Sequence, residues 1–270
     1  MSEHYLPTGL DSRVSKKPFS ITLALTDKLD TLVGFFGINQ KPTSSKDPYA
    51  LRRSALGIIR LILENKKEFK LSDLINYSIS LYKDQGFKFN NDNVHKDLSL
   101  FLVDRLKFYM KEKDIRYDII EASINSFSID NVSKIYNKAI ALNKFIINSF
   151  GKDIIASYKR ASNILENELK SKELDLSNTT DPGIFKNDYE KNLYKKIHEL
   201  RKYFTSINKD EDYQVTLGNL ADAKLTINEF FDNVIVNDED QSIKKNRLEL
   251  LQMLCKTFDN YINFSNIETT

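Results

Sequence analysis

Basic and amide side chains crowd together at three places in this sequence where one exposed helix face would hold a polyanion. Between residues 131 and 170, seven basic side chains (Lys134, Lys138, Lys144, Lys152, Lys159, Arg160 and Lys170) stand against three acidic ones (Asp153, Glu166 and Glu168), a local excess of +4. If that stretch is helical, with Tyr158 and Leu165 turned inward, Lys159, Arg160 and Asn163 point outward together. Lys191, Lys195 and Lys202, with His198 between them, form a second stripe, and Lys244, Lys245, Asn246 and Arg247 crowd one turn near the C-terminus. Such side chains suit nucleic acid: lysine and arginine position phosphates, while arginine and asparagine read base edges or stack on splayed RNA bases. The same spacing also fits ordinary solvated helix faces, and charge alone leaves both readings open.

Other chemistry is poorly supplied. The sequence has no G-x-x-x-x-G-K-[ST] loop, no G-x-G-x-x-G, no G-x-S-x-G and no H-E-x-x-H. Asp27 and Asp30 lie three apart beside Lys28, a spacing typical of solvated or capping carboxylates rather than a catalytic pair. Cys255 is the one cysteine, which excludes an internal disulfide or a cysteine-built zinc site, fits a reducing cytoplasm, and reads as a small core residue. The three histidines (His4, His95, His198) are far apart, and no His-Asp dipeptide exists to start a phosphohydrolase metal site. No catalytic or metal-ligating residue is expected in this chain.

The elements that must carry the basic faces are helices. With 40 basic and 38 acidic residues the net charge is +2, so any basic surface is local, and 41% apolar residues over 270 positions are enough for one large or two small cores. No apolar run approaches the roughly eighteen residues of a membrane span, and the N-terminus lacks the layout of a signal peptide. Glycine (8) and proline (5) are scarce, and no proline occurs between Tyr49 and Asp181. Ile21, Leu25, Leu29, Leu32 and Phe36 recur at helical spacing until Gly34, Gly37 and Pro42 lead into a loop at 40–46. Asp47-Pro48 then reads as a capped helix start, followed by Leu51, Ala55, Leu56, Ile59 and Leu63. Further helices are expected from Ser72, over about 92–113, 117–127, from Val132 to Ile146, after Gly151, through Leu193 and Phe204, over 215–234, and over 240–261, with a loop at 174–183. No segment alternates at period two. The expectation is an all-α array of roughly ten helices with a boundary near 128–131.

Residues 23–62, LALTDKLDTLVGFFGINQKPTSSKDPYALRRSALGIIRLI, resemble the β subunit of the bacterial two-subunit glycyl-tRNA synthetase. Thr26, Asn39, Ser44 and Tyr49 stand where that family's pattern has alanine, glycine, glycine and phenylalanine. The lost glycines bear only on the backbone freedom of the loop. The likeness continues at Glu3-His4-Tyr5 and RYDIIEASI (116–124), then at SYKRASNIL (157–165) and EFFDNVIVNDEDQSIKKNRLELL (229–251). The last two stretches are similar to the helical anticodon-binding domain of arginyl-tRNA synthetase.

What the resemblance implies is an α2β2 enzyme that attaches glycine to its tRNA with ATP. The α subunit would hold the catalytic site with ATP and Mg, and this chain would bind no cofactor. The chain would be the C-terminal portion of a longer, cytoplasmic β subunit, its partners glycine tRNA, the α subunit and the rest of β, with no membrane and no DNA. Residues 1–65 would end an HD-like domain and its linker, 66–130 would form a helical connecting region, and 131–270 the anticodon-binding bundle. RNA contact is then expected from Lys159, Arg160 and Asn163, with Lys244, Lys245 and Arg247 as a second cluster. Arg160 and Arg247 have a rival role, bracing helices through Asp232, Asp238 or Glu239. Arg52 and Arg53 would touch tRNA or, in the stronger reading, hold the linker. The alternatives are a structural scaffold joining β to α and a stand-alone RNA-binding module.

Overall fold

The computed structural model describes residues 2–124, 129–171, 176–177, 179–206, 213–260, 262 and 264–268. Among them the chain is all-α, with eleven α-helices and no strand. It divides into two compact units, one of residues 1–115 with 127–136, the other of residues 116–126 with 137–270. Of the region expected to connect two bodies over 66–130, residues 66–115 fall in the first unit and 116–126 in the second.

In the first unit, α1 (Pro18–Gly37) and α2 (Leu51–Glu64) form the central pair, with α3 (Leu71–Asp84) against α1 and α4 (Val94–Lys111) across both. The core is built from Leu32, Phe36, Ile59, Ile75, Leu98 and Leu102, all essentially inaccessible to water. Each such side chain contributes about 1.5–3 kcal/mol by leaving water. The helix expected to begin at Pro48 begins at Leu51 instead. Ala50 sits in the left-handed region (φ 54°), outside any helix, while the Asp47 carboxylate caps from a distance, accepting from the N–H groups of Leu51 (2.8 Å) and Arg52 (3.0 Å). Asp130 likewise caps α3, accepting from Ser72 N–H at 2.7 Å. The polar opening of the chain is tied down by Arg60, which is buried and donates to the carbonyls of Gly9 (2.5 Å) and Ser12 (2.7 Å) while pairing with Glu64. Lys28 is buried too and donates to the Tyr5 carbonyl at 3.2 Å; desolvation holds its ammonium below the ordinary lysine pKa.

The helix α5 (Tyr117–Ile124) belongs to the second unit, residues 125–127 of the expected connector lying outside the described residues. The helix α6 (Val132–Ile147) begins in the first unit and continues in the second. Then come α7 (Ser149–Ser171), α8 (Asp188–Ser206), α9 (Tyr213–Asp222), α10 (Lys224–Asn233) and α11 (Gln241–Asp259). The single helix expected over 215–234 is two. At Ala223 the helix is interrupted, its N–H donating to the Leu220 carbonyl three residues back, and Leu220 before the break and Ile227 after it are both buried. Residues 174, 175 and 178 of the expected loop lie outside the described residues. The helix α11 packs on α7 and α8 and is buried on most of its circumference, through Leu250, Leu251, Leu254 and Phe258. Tyr158, Phe258 and Phe264 form an aromatic cluster with ring centres 5.6–6.2 Å apart.

Candidate nucleic-acid interface

On α7, the inward positions Ile154, Tyr158, Ala161 and Leu165 are fixed by burial, so Arg160 and Asn163 are exposed and Lys159 is half-buried on the opposite side. These three sequence-selected residues are brought together on one face. Arg160 is also oriented. Its guanidinium lies 4.5 Å from the centre of the Phe231 ring, and it donates to the Phe231 carbonyl at 3.4 Å. Beside it a groove of about 430 Å³ runs between α7 and the segment after α10, its polar lining Arg160, Asn167, Glu168 and Asn237 and its apolar lining including Phe231 and Ile235. Ile235 is 78% exposed at its edge. A flat, partly desolvated guanidinium beside apolar surface and two amides is suited to stacking against an unpaired base and contacting its edges.

The second cluster is placed differently. Lys244 and Arg247 were expected to face outward with Lys245, but both are buried, each about 6% exposed. Loop and helix ends cover this face of α11, so its polar side chains are turned to internal partners. The Lys244 ammonium pairs with Glu168 of α7 at 2.7 Å. Asn246 clamps the backbone of Asp181, donating to its carbonyl (3.0 Å) and accepting from its N–H (2.8 Å). Arg247 donates to Glu190 (2.5 Å), to Asp238 (2.7 Å) and to the Ile235 carbonyl (2.8 Å), which is the bracing role with one of the carboxylates expected for it. Only Lys245 of this group remains half-buried. Asp238, bonded from the Asp240 N–H and from Arg247, has its carboxyl held below the ordinary aspartate pKa.

Glu190 is the residue the sequence reading missed. It is 1% exposed, and its carboxylate both meets Arg247 and accepts from the N–H groups of Lys186 (2.6 Å) and Asn187 (3.1 Å). In return the Asn187 side chain accepts from the Glu190 N–H (3.1 Å). This is a capping box, and its signature, Asn187 followed three residues later by glutamate, is present in the sequence. It starts α8 and, through Arg247, holds the wall of the Arg160 groove.

Lys191, Lys195, His198 and Lys202 are exposed along α8 as expected, Lys191 pairing with Asp188 and His198 packing edge-on to Tyr194. In the first unit Arg52 donates to the Thr43 carbonyl at 2.5 Å and so closes the 43–52 turn, whereas Arg53 is exposed. Cys255 is buried, its thiol pushed up to about 12 by desolvation, which leaves it unreactive at neutral pH. Among the described residues no three histidine, cysteine or acidic side chains gather to hold a metal, and no helix is long and apolar enough to cross a membrane.

Residues 1–125 match the family model described as glycyl-tRNA synthetase beta subunit, and residues 154–270 match the DALR anticodon binding domain. Over 265 residues the chain is 41% identical to the glycine–tRNA ligase beta subunit of Rickettsia africae, covering 98% of this chain and 37% of that protein. It is 38% identical over 266 residues to the corresponding Rickettsia prowazekii subunit, with the same coverage, and 38% identical over 269 residues to that of Rickettsia canadensis, covering 99% and 38%. The chain thus spans a little over a third of the length of the curated relatives it matches, 37–38%.

Proposed function

From the membership of this chain in the glycyl-tRNA synthetase beta subunit family and its DALR anticodon binding domain, we propose that it is the tRNA-binding part of a glycine–tRNA ligase. In this reading the second unit holds the anticodon arm of glycine tRNA. A partner α subunit, which handles ATP and Mg, attaches glycine to the distant acceptor end. The remainder of the β subunit is the other partner, and the work is done in the cytoplasm. The chain itself supplies no catalytic group. Its contribution is positional: energy from the anticodon arm lowers KM, and raises kcat where docking aligns the acceptor end.

The observation that carries the reading is the solvent-facing Arg160, stacked on Phe231 beside a groove, inside the domain matched as anticodon binding. Asn163 and Lys159 extend that face along α7, and Lys245 and the α8 stripe add positive charge for phosphates. Lys244 and Arg247 support the face from within rather than touching RNA directly. Arg52 shapes its turn, and Arg53 remains free for phosphate contact.

The test is binding of the chain to a glycine tRNA transcript at about 100 mM salt, where phosphate contacts are still strong. A transcript with its two central anticodon cytosines changed is measured beside it. Tighter binding of the unchanged transcript, with the gap narrowed by Arg160→Ala, supports anticodon reading. Equal affinity for both transcripts overturns it.

A further inference from the structure

A second groove, of about 360 Å³, lies wholly within the first unit and is unrelated to the α7 face. One wall is α1 with Asp30, continued by Ile38 just past its end; the other is Tyr82 of α3 with Phe87, Lys88 and Phe89 of the segment that follows. Gly34 and Gly37 make the rings' approach possible. A Cβ at Gly34 would lie 2.5 Å from the Tyr82 hydroxyl oxygen, and one at Gly37 would lie 2.3 Å from the Phe89 ring. Tyr82 meets Phe87 edge-on and Phe89 at a tilt, both at 5.6 Å between centres, and its hydroxyl donates to the Asp30 carbonyl at 3.1 Å. The segment is fixed by its backbone: Gly86 turns it at φ 82°, Phe87 N–H bonds Tyr82, and Asn90 N–H bonds the Gly37 carbonyl at 2.9 Å. The rings are therefore held in place before any ligand arrives.

These rings are not sealed in a core. Phe87 is 56% exposed and Ile38 47%, and the exposed side chains of Asp30 and Lys88 stand at the rim. The combination is specific in charge. A carboxylate accepts from an amino group, an ammonium meets an anion, and aromatic surface between them takes a flat ring. A tryptophan from a protein partner would satisfy the rings and leave Lys88 unmatched; an arginine would meet Asp30 and be repelled by Lys88. A nucleotide with an exocyclic amine has all three parts.

We propose that this groove seats one unstacked, amino-bearing base of an RNA strand, its ring against Phe87, its amine on the Asp30 carboxylate and its phosphate on Lys88. This contact is separate from anticodon reading and does not rest on it. In the intact chain, anisotropy of labelled single-stranded oligonucleotides of adenosine, cytidine and uridine is the direct test. Phe87→Ala removes an exposed ring and is expected to weaken adenosine and cytidine binding about tenfold, a typical loss for one stacked base. Uridine, which lacks the amine, binds more weakly, and Asp30→Asn erases that preference. The loss on Phe87→Ala persists at the same size in an Arg160→Ala background, which separates this groove from the α7 face. Circular dichroism confirms that each variant folds. Equal binding by wild type and Phe87→Ala overturns the proposal, as does loss of a co-purifying protein with RNA affinity intact. Free AMP or CMP binding as tightly as the oligonucleotide, with the same dependence on Phe87, overturns the RNA strand in favour of a mononucleotide.

Discussion

Both units lay an irregular segment across a helix, and they fasten it with opposite materials. In the first unit, residues 86–91 lie on α1 through the Phe89 ring seated over Gly37 and through the Asn90 N–H bond to the Gly37 carbonyl. In the second, residues 235–238 lie on α11 through Arg247, whose buried guanidinium meets buried Glu190, half-buried Asp238 and the Ile235 carbonyl. Apolar packing degrades gradually as contacts are lost, because no group is left needing a partner. A buried ion pair fails abruptly, because the surviving charge stays out of water. The second unit should therefore respond far more sharply to the loss of one side chain.

The largest expected effect is on that contrast itself. Arg247→Ala should cost about 3–5 kcal/mol in urea denaturation, since Glu190 remains buried and unpaired. Adding Glu190→Gln, which keeps the capping box while removing the charge, should recover part of the loss. A cost below about 1 kcal/mol for Arg247→Ala would break the comparison, because that is the scale of an exposed pair. Next comes Gly37→Ala in the first unit, expected to cost about 1–3 kcal/mol by pushing the Phe89 ring off α1. Combining it with Phe89→Ala should cost less than the sum of the two, as the clash disappears with the ring.

Smaller again is Arg160→Ala, which should leave stability within about 1 kcal/mol, the scale of an exposed cation–π contact. It should also weaken glycine tRNA binding about fivefold or more and flatten the salt slope by about 1. The smallest effect sharpens the contrast by pH. Asp238 has a folded pKa below its ordinary value of 3.8. Its contribution is therefore full above 3.8 and is lost as pH falls through the lower folded value. Acid titration of Asp238→Asn should show a shallower loss of stability below that pH than wild type. An unchanged acid limb would show that Asp238 adds nothing to the hold on Arg247 by Glu190 and the Ile235 carbonyl.

The helices were readable wherever one apolar face sufficed. The α1 residues Leu25, Leu29, Leu32 and Phe36 announce their inward face by spacing alone, and all four are buried. What was not readable depended on chain segments far away. Lys244 and Arg247 read as outward because a charged residue on a helix usually is, yet their partners lie at Glu168 and, 57 residues distant, at Glu190. The break between α9 and α10 carries neither glycine nor proline at Ala223, so nothing local marks it. The Asp47 cap was visible as a cap, but its helix starts four residues later because the intervening turn places Ala50 in the left-handed region. For the candidate interface, the α7 face followed directly from helical geometry, whereas the wall of its groove could not be read from sequence.

The double duty of Glu190 links events that are separate in the chain. One carboxylate oxygen holds the amide protons of Lys186 and Asn187, and the other holds Arg247, which in turn holds the Ile235 carbonyl. Isotope exchange at those two amides thus becomes a built-in reporter on the groove wall, quickening whenever the 235–238 segment lets go and slowing when an occupant pins it in place.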